Sequence, residues 1–221
     1  MTEPRGGLGM SAGEIALEAA GRAAGRAGDR GLVARCRSGD PQAFARLVAL
    51  HERMVFNLAS RLLGDDEEAK DVAQNVFLHV YRKLEQFQGR SALKTWIHRI
   101  TVNQCHNRRR WWQSRRRERQ QPLDEVATGP EAGRLADPSP RSNPYVETHR
   151  RERARRVQEA LLRLSFDHRA VLVLREIEGQ SCHAIAEALG VATGTVKSRL
   201  SRAREALRRQ LADVLEEGGP A

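Results

Sequence analysis

From Ser181 to Arg209 the chain reads SCHAIAEALGVATGTVKSRLSRAREALRR: a short apolar helix, a glycine turn, and a second helix that is basic on its outer side. That is the layout of a helix-turn-helix, and it makes double-stranded DNA the first candidate partner. In the second helix Val196, Leu200, Ala203 and Leu207 recur at helical spacing on one narrow stripe, which must be buried. At about 3.6 residues per turn the opposite side carries Ser198, Ser201, Arg202 and Glu205, with Lys197 and Arg199 on its flanks. Those groups can bond base edges and phosphates. The first helix buries Ile185, Ala186 and Leu189, and Gly190 is placed for the left-handed residue that ends it. Thr193 or Thr195 then caps the second helix, turning its free N–H groups toward a phosphate. An amphipathic hairpin with a solvated basic face would show the same spacing.

The rest of the chain is also helical in pattern. Residues 1–30 are rich in Gly, Ala and Arg and are expected to form a mobile extension, with a short helix around Glu14 to Ala24. Asp40 followed by Pro41 starts a helix whose apolar face is Phe44, Leu47, Val48, His51, Val55, Leu58 and Leu62, ending at Gly64. Asp65 caps the next, which turns Ala69, Val72, Ala73, Val76, Phe77, Val80 and Leu84 inward. Its first-turn Asp66, Glu67 and Glu68 are accounted for by the helix dipole rather than by a metal. A loop around Gly89 leads to a long helix from near Thr95. That helix ends in NRRRWWQSRRRER, which holds seven arginines and two adjacent tryptophans. Such a run suits a nucleic-acid backbone with unstacked bases, or a frayed helix end whose tryptophans cap the core. Residues 120–146 turn to Pro, Gly, Ser and Asp, the composition of a linker. A second helical block follows, with an arginine cluster at Arg150, Arg151, Arg153, Arg155 and Arg156. The expectation is an all-α protein of two helical domains joined by a flexible linker, the C-terminal one a helix-turn-helix.

Composition narrows the classes of function. A net charge of +10 over 221 residues favours an anionic partner, and nucleic acid fits better than a membrane surface. The three cysteines, Cys36, Cys105 and Cys182, are an odd and widely spaced set, so disulfides are not expected. Cys105 beside His106 and Cys182 beside His183 lack the spacing of a metal site, and no metal or cofactor is expected. No carboxylate–histidine constellation or phosphate-cradling glycine loop suggests an enzyme. No apolar run approaches the roughly 20 residues of a membrane span, the N-terminus lacks the apolar core of a signal peptide, and a cytoplasmic protein is expected.

The word GTVKSRLSRAR resembles the promoter-reading module of bacterial RNA polymerase sigma factors, specifically the extracytoplasmic-function group. The similarity extends upstream through LLRLSFDHRAVLVLREIEG. It includes a second block from Leu32 to Arg110, with GDPQAFARLVALH, LASRLLGDDEEAKDVAQNVFLHVYRKL and FQGRSALKTWIHRITVNQC in the family's order. The resemblance implies a mobile extension at 1–30 and a region 2-like domain at 31–119 that binds polymerase core and melts the minus 10 element. After the linker at 120–146, it implies a region 4-like domain at 147–215 for the minus 35 element and a tail at 216–221.

Residue by residue, the resemblance implies that Lys197, Ser198, Ser201 and Arg202 face minus 35 bases, with Thr195 and Arg199 on phosphates. Minus 10 recognition falls to Gly89, Arg90, Ser91, Lys94, Trp96, Arg99 and Asn103, and polymerase docking to Asp71, Gln74, Asn75 and Phe77. The chain departs from the family pattern at several places. Arg90 stands where an acidic residue is frequent, Leu93 where an aromatic is, and Asn75 where Glu is usual, while Ala192 replaces Pro and Cys182 replaces Tyr. The implied partners are polymerase core, through a coiled coil of its largest subunit, promoter DNA and an anti-sigma protein. An autonomous helix-turn-helix regulator is the alternative, and it would bind symmetric half-sites tightly on its own.

Overall fold

The structure is a computed structural model that describes residues 28–119 and 144–216, with side chains at 28–115 and 151–212. Among these residues every regular element is helical. Helix α1 spans 28–37. It is followed by α2 (Pro41–Leu63), α3 (Asp66–Lys83), a short turn (Leu84–Gln86) and α4 (Leu93–Arg119). The C-terminal unit holds α5 (Pro144–Arg163), α6 (Phe166–Leu172) widening into a π turn (Val173–Ile177), α7 (Cys182–Leu189) and α8 (Thr193–Glu216). The mobile extension expected up to Arg30 gives way to helix by residue 28, and α5 begins inside the expected linker. The Glu14–Ala24 helix and residues 120–143 lie outside the described residues.

Local chemistry sets the boundaries of α2 and α3. The Asp40 carboxylate accepts the N–H groups of Gln42 and Ala43 at 2.9 and 3.1 Å, and Pro41 takes the next position, where no N–H is needed. Gly64, at φ +79°, ends α2 and returns its N–H to Ser60 O at 2.8 Å. Asp65 repeats the N-terminal cap for Glu67 and Glu68 at 2.9 and 3.1 Å. Asp29 of α1 accepts the Leu93 N–H at 3.2 Å, so α4 starts two residues before the expected Thr95. A cap of this kind is worth about 1 kcal/mol.

The apolar stripes meet in the core. Leu47, Val55, Leu58 and Leu62 of α2 pack with Val72, Val76 and Val80 of α3 and with Leu93, Ile97 and Cys105 of α4. Each buried Leu, Ile or Val stabilises by roughly 1.5–3 kcal/mol. Phe44, Val48 and His51, expected on the buried face, are half-buried at its edge; Phe44 meets Tyr81 edge-on at 5.1 Å. In the C-terminal unit Leu161, Phe166, Val171, Leu174, Ile185, Val196 and Leu200 form the interior. The two interiors join into one continuous cluster, because α7 lies on α4 and α5 and α6 reach the end of α2.

Candidate nucleic-acid and partner interfaces

Three surfaces hold the residues singled out by the sequence. On α8, Val196, Leu200 and Ala203 are buried, while Lys197, Ser198, Ser201 and Arg202 stand exposed on the opposite side. Gly190, at φ +66°, makes the left-handed turn that presents this helix. Ser198 Oγ donates to Thr195 O at 3.0 Å, a local bond that is readily exchanged for an external acceptor. Arg199 is differently placed. Its Nη2 lies 2.9 Å from Asp167 Oδ2, so it bridges to α6 instead of standing free. The expected capping role of Thr193 or Thr195 is corrected. Val196 N–H bonds Ala192 O at 3.1 Å, which places Ala192 at the cap position and both threonines inside the first turn.

The second surface is the loop before α4 and the first three turns of that helix. Gly89 takes φ +67° and turns the chain, with Arg90 exposed and Ser91 half-buried beside it. Arg99 and Asn103 project from neighbouring turns into solvent. Trp96 shares their stripe but is half-buried, its ring 5.2 Å from Phe87, so its body belongs to the core and only an edge is available. Lys94 is set apart from this stripe by about 140–180° around the helix. Its Nζ lies 3.7 Å from Glu178 Oε2 of the C-terminal unit. The candidate residues therefore form two groups, one facing solvent and one facing the other unit.

Where Lys94 points, the two units meet through polar groups. His98 is fully buried, with Nε2 3.4 Å from Glu178 Oε2, and Thr95 Oγ1 donates to Gln180 Oε1 at 3.5 Å. Burial raises the pKa of the Glu178 carboxyl, but His98, Lys94 and Arg61 outweigh it and leave it below the usual carboxylate value. Burial holds the His51 imidazole below its usual value, with the charges of His98 and Lys94 adding in the same direction against Asp29.

The third surface is the outer face of α3. Asp71, Gln74 and Asn75 are exposed on it as expected. Phe77 is not on this face; it is half-buried and packed against the core. Leu78 and Tyr81, 52% and 65% exposed, continue the polar face instead, and sequence reasoning missed both. The signal was available, since Leu78 stands four residues beyond Gln74 and three beyond Asn75, and Tyr81 two turns beyond Gln74. Asp71 is engaged from the side: Arg108 Nη2 lies 3.2 Å from its Oδ2, and the same guanidinium pairs with Glu68.

Beyond Arg108, α4 runs on as helix to Arg119. Trp111 and Trp112 meet edge-on at 5.1 Å and are about two-fifths exposed, with Arg115 4.3 Å above the Trp111 ring. Among the described residues no three His, Cys, Asp or Glu side chains gather as a metal site, and no helix is long and apolar enough to cross a membrane.

Comparison with known proteins adds to this geometry. The sigma-70 region 2 family matches residues 47–117, and the sigma-70 region 4 family matches residues 154–207. The chain is 35% identical over 191 residues to the RNA polymerase sigma-H factor of Pseudomonas aeruginosa, covering 86% of this chain and 96% of that protein. It is 32% identical over 187 residues to the ECF RNA polymerase sigma factor SigW of Bacillus subtilis, covering 82% and 96%. Among solved structures, sigma factor RpoE in complex with the anti-sigma factor NepR, from Bartonella quintana, aligns at TM-score 0.58 and 25% identity over 76% of this chain and 96% of that one. CnrH in complex with the cytosolic domain of CnrY aligns at TM-score 0.58 and 26% identity over 86% and 99%.

Proposed function

We infer the working parts of this chain from its family: it belongs to the bacterial sigma-70 sigma factors, in the extracytoplasmic-function group. It binds RNA polymerase core and directs promoter-specific initiation of transcription, reading promoter DNA through two helical units. Membership leaves the autonomous-regulator alternative without support. In our reading residues 31–119 dock on core and engage the minus 10 element, and residues 147–215 read the minus 35 element. Such a factor performs no covalent chemistry. Opening the duplex requires only that exposed groups bind an unstacked base or strand better than the stacked state, at a cost of a few kcal/mol. It works where core polymerase and the chromosome are, in the cytoplasm.

The roles follow from the surfaces. Lys197, Ser198, Ser201 and Arg202 enter the major groove on α8, while Thr195 and Arg199 serve phosphates once Arg199 leaves Asp167. Gly89, Arg90, Ser91, Arg99 and Asn103, with the edge of Trp96, meet the minus 10 strand, and Lys94 joins them when its partner Glu178 moves away. Asp71, Gln74 and Asn75, extended by Leu78 and Tyr81, dock on core; Phe77 supports that face from behind. An anti-sigma protein masks these faces; the complex of RpoE with the anti-sigma factor NepR supports a partner of this class.

The observation that carries the minus 35 assignment is the exposed polar face of α8, held out by a fully buried Val196–Leu200–Ala203 stripe. Arg202→Ala tests it in promoter binding by the reconstituted holoenzyme. A base contact is worth about 1–3 kcal/mol of discrimination, whereas a phosphate contact weakens all sequences alike. Relaxed specificity at one minus 35 position supports the assignment, and a uniform loss across promoter variants contradicts it.

A further inference from the structure

The two units close over a cationic recess that a carboxylate fills. Lys94 and His98, one turn apart on α4, lie 3.7 and 3.4 Å from Glu178 Oε2, and Arg61, near the end of α2, adds its positive charge. The Glu178 side chain is only 10% exposed and His98 is fully buried, yet neither ring nitrogen of His98 makes a hydrogen bond. A buried polar group left unsatisfied costs about 1–3 kcal/mol, so Glu178 is an imperfect occupant. The Arg61 guanidinium and the Lys94 ammonium against one carboxylate leave the recess with positive charge to spare.

The C-terminal unit is shaped to deliver this side chain. The π turn at Val173–Ile177 widens α6, so that Glu178 N–H returns to Val173 O at 3.0 Å and Gln180 N–H to Leu174 O at 2.9 Å. That wide turn aims Glu178 and Gln180 at α4. Wide turns of this sort within helices gather at functional positions.

The closed arrangement is also incompatible with promoter reading, on which this inference rests. The centres of the minus 35 and minus 10 elements are about 25 base pairs apart, about 85 Å at 3.4 Å per base pair. A compact body of about 165 residues, the number described, has a radius of gyration of about 15 Å and is roughly 40 Å across. One closed molecule cannot lay α8 on one element and α4 on the other, so the units must separate. Separation exposes Arg61, Lys94 and His98 on the side of α4 away from Arg99 and Asn103, at the same level along the helix.

We propose that the Arg61–Lys94–His98 recess is a binding site for a backbone phosphate of the separated promoter strand, and that Glu178 occupies it as an internal substitute that holds the chain closed. A phosphodiester carries the same single negative charge as the carboxylate and offers two oxygens, enough for His98 and Lys94 together. Exchange of one anion for the other leaves no cation stranded at this site, which offsets part of the cost of parting the joined core.

The experiment uses the full chain with Glu178→Gln, small-angle X-ray scattering for compactness, and a fluorescent single-stranded oligonucleotide of mixed sequence as the probe. The variant should be more expanded than the wild type and bind the oligonucleotide three- to tenfold more tightly. Adding His98→Ala or Lys94→Gln should abolish that gain while the chain stays expanded. If Glu178→Gln disrupts folding, the exchange Lys94→Glu with Glu178→Lys replaces it; this should restore compactness and bind the oligonucleotide less well than wild type. A Glu178→Gln chain as compact as wild type overturns the proposal. So does an expanded chain with unchanged affinity, a gain that survives loss of His98 and Lys94, or a charge-exchanged chain that is expanded or binds as well as wild type. Run-off transcription by the wild-type chain with core tests promoter reading separately, so failure of the recess is distinguishable from failure of the function.

Discussion

Arg169 offers the sharpest test of how the two units are held, because a single guanidinium serves both. Its side chain is buried at 7% exposure and its partners are carbonyls at helix ends. Nε donates to Leu161 O at 2.9 Å, Nη2 to Leu162 O and Leu164 O at 2.6 and 3.1 Å, and Nη1 to Leu62 O at the end of α2. These carbonyls lie at or just beyond the C-terminal ends of α2 and α5, where the negative end of the helix dipole falls; Leu161 O also takes the Leu164 N–H at 3.1 Å. Burial, with the positive charge of Arg109, pushes the Arg169 pKa down from 12.5 to about 10. A change of that size is on the order of 3 kcal/mol against the charged form. Four charge-assisted bonds at about 1.5–3 kcal/mol each exceed that cost. Arg169→Met should therefore lose about 3–5 kcal/mol, since water can reach only some of the abandoned carbonyls. Arg169→Lys keeps the charge but not the fork, and should recover less than half of the loss. Urea unfolding followed by the helical circular dichroism signal measures both. A loss below about 1 kcal/mol for Met, or a Lys variant as stable as wild type, would refute the reasoning that dipoles and bonds offset the burial of this charge.

Other expectations follow from the same contacts. Gly64→Ala should cost about 1–3 kcal/mol, because φ is +79° and a Cβ there would stand 2.5 Å from Leu162 Cδ1; a Leu162→Ala background should remove the steric part when both are measured by urea unfolding. Cys105 is fully buried with its thiol pushed up to about 12, and burial first, then the charge of Asp40, raises Cys36, so thiol titration of the native chain at pH 8 should label Cys182 ahead of both. Equal labelling rates would contradict the packing. Stability should fall on the acid side for two reasons. His51 is held below 6.5, so as pH drops from that value the unfolded chain takes up the proton first. Glu178 is held below 4.5, so its contribution is present above that value and is lost as pH falls through its folded pKa. Urea midpoints across pH 3–8 check both, and His51→Gln should flatten the part of the curve just below pH 6.5.

The legible parts of this protein are those fixed by neighbours in sequence. Asp40, Asp65, Gly64 and Gly190 could be read as helix ends because capping is a matter of three or four adjacent residues. The centres of the α2, α3 and α8 stripes followed from spacing, while Phe44, Val48, His51, Phe77 and Leu207 at their edges are only half-buried. What escaped was decided at long range. Arg169 looks like one more cation in an arginine-rich chain, and only the meeting of α2 and α5 makes it internal. Lys94 sits in a stretch read as DNA-facing, but Glu178, more than eighty residues later, turns it to the other unit. Phe77 is an apolar residue in a polar run, and the run itself does not say whether such a residue faces a partner or the core. Leu78 and Tyr81 show the converse, apolar side chains left outside by a helix whose inner stripe was already filled.

The central claim is that this chain gives core polymerase its choice of promoter through two separate reading surfaces. Run-off transcription with purified core polymerase on a promoter library measures it directly. The account predicts transcripts only when the chain is added, from templates that share one minus 35 and one minus 10 sequence at fixed spacing. Failure to bind core, with tight binding of the chain alone to symmetric duplex half-sites, would contradict it.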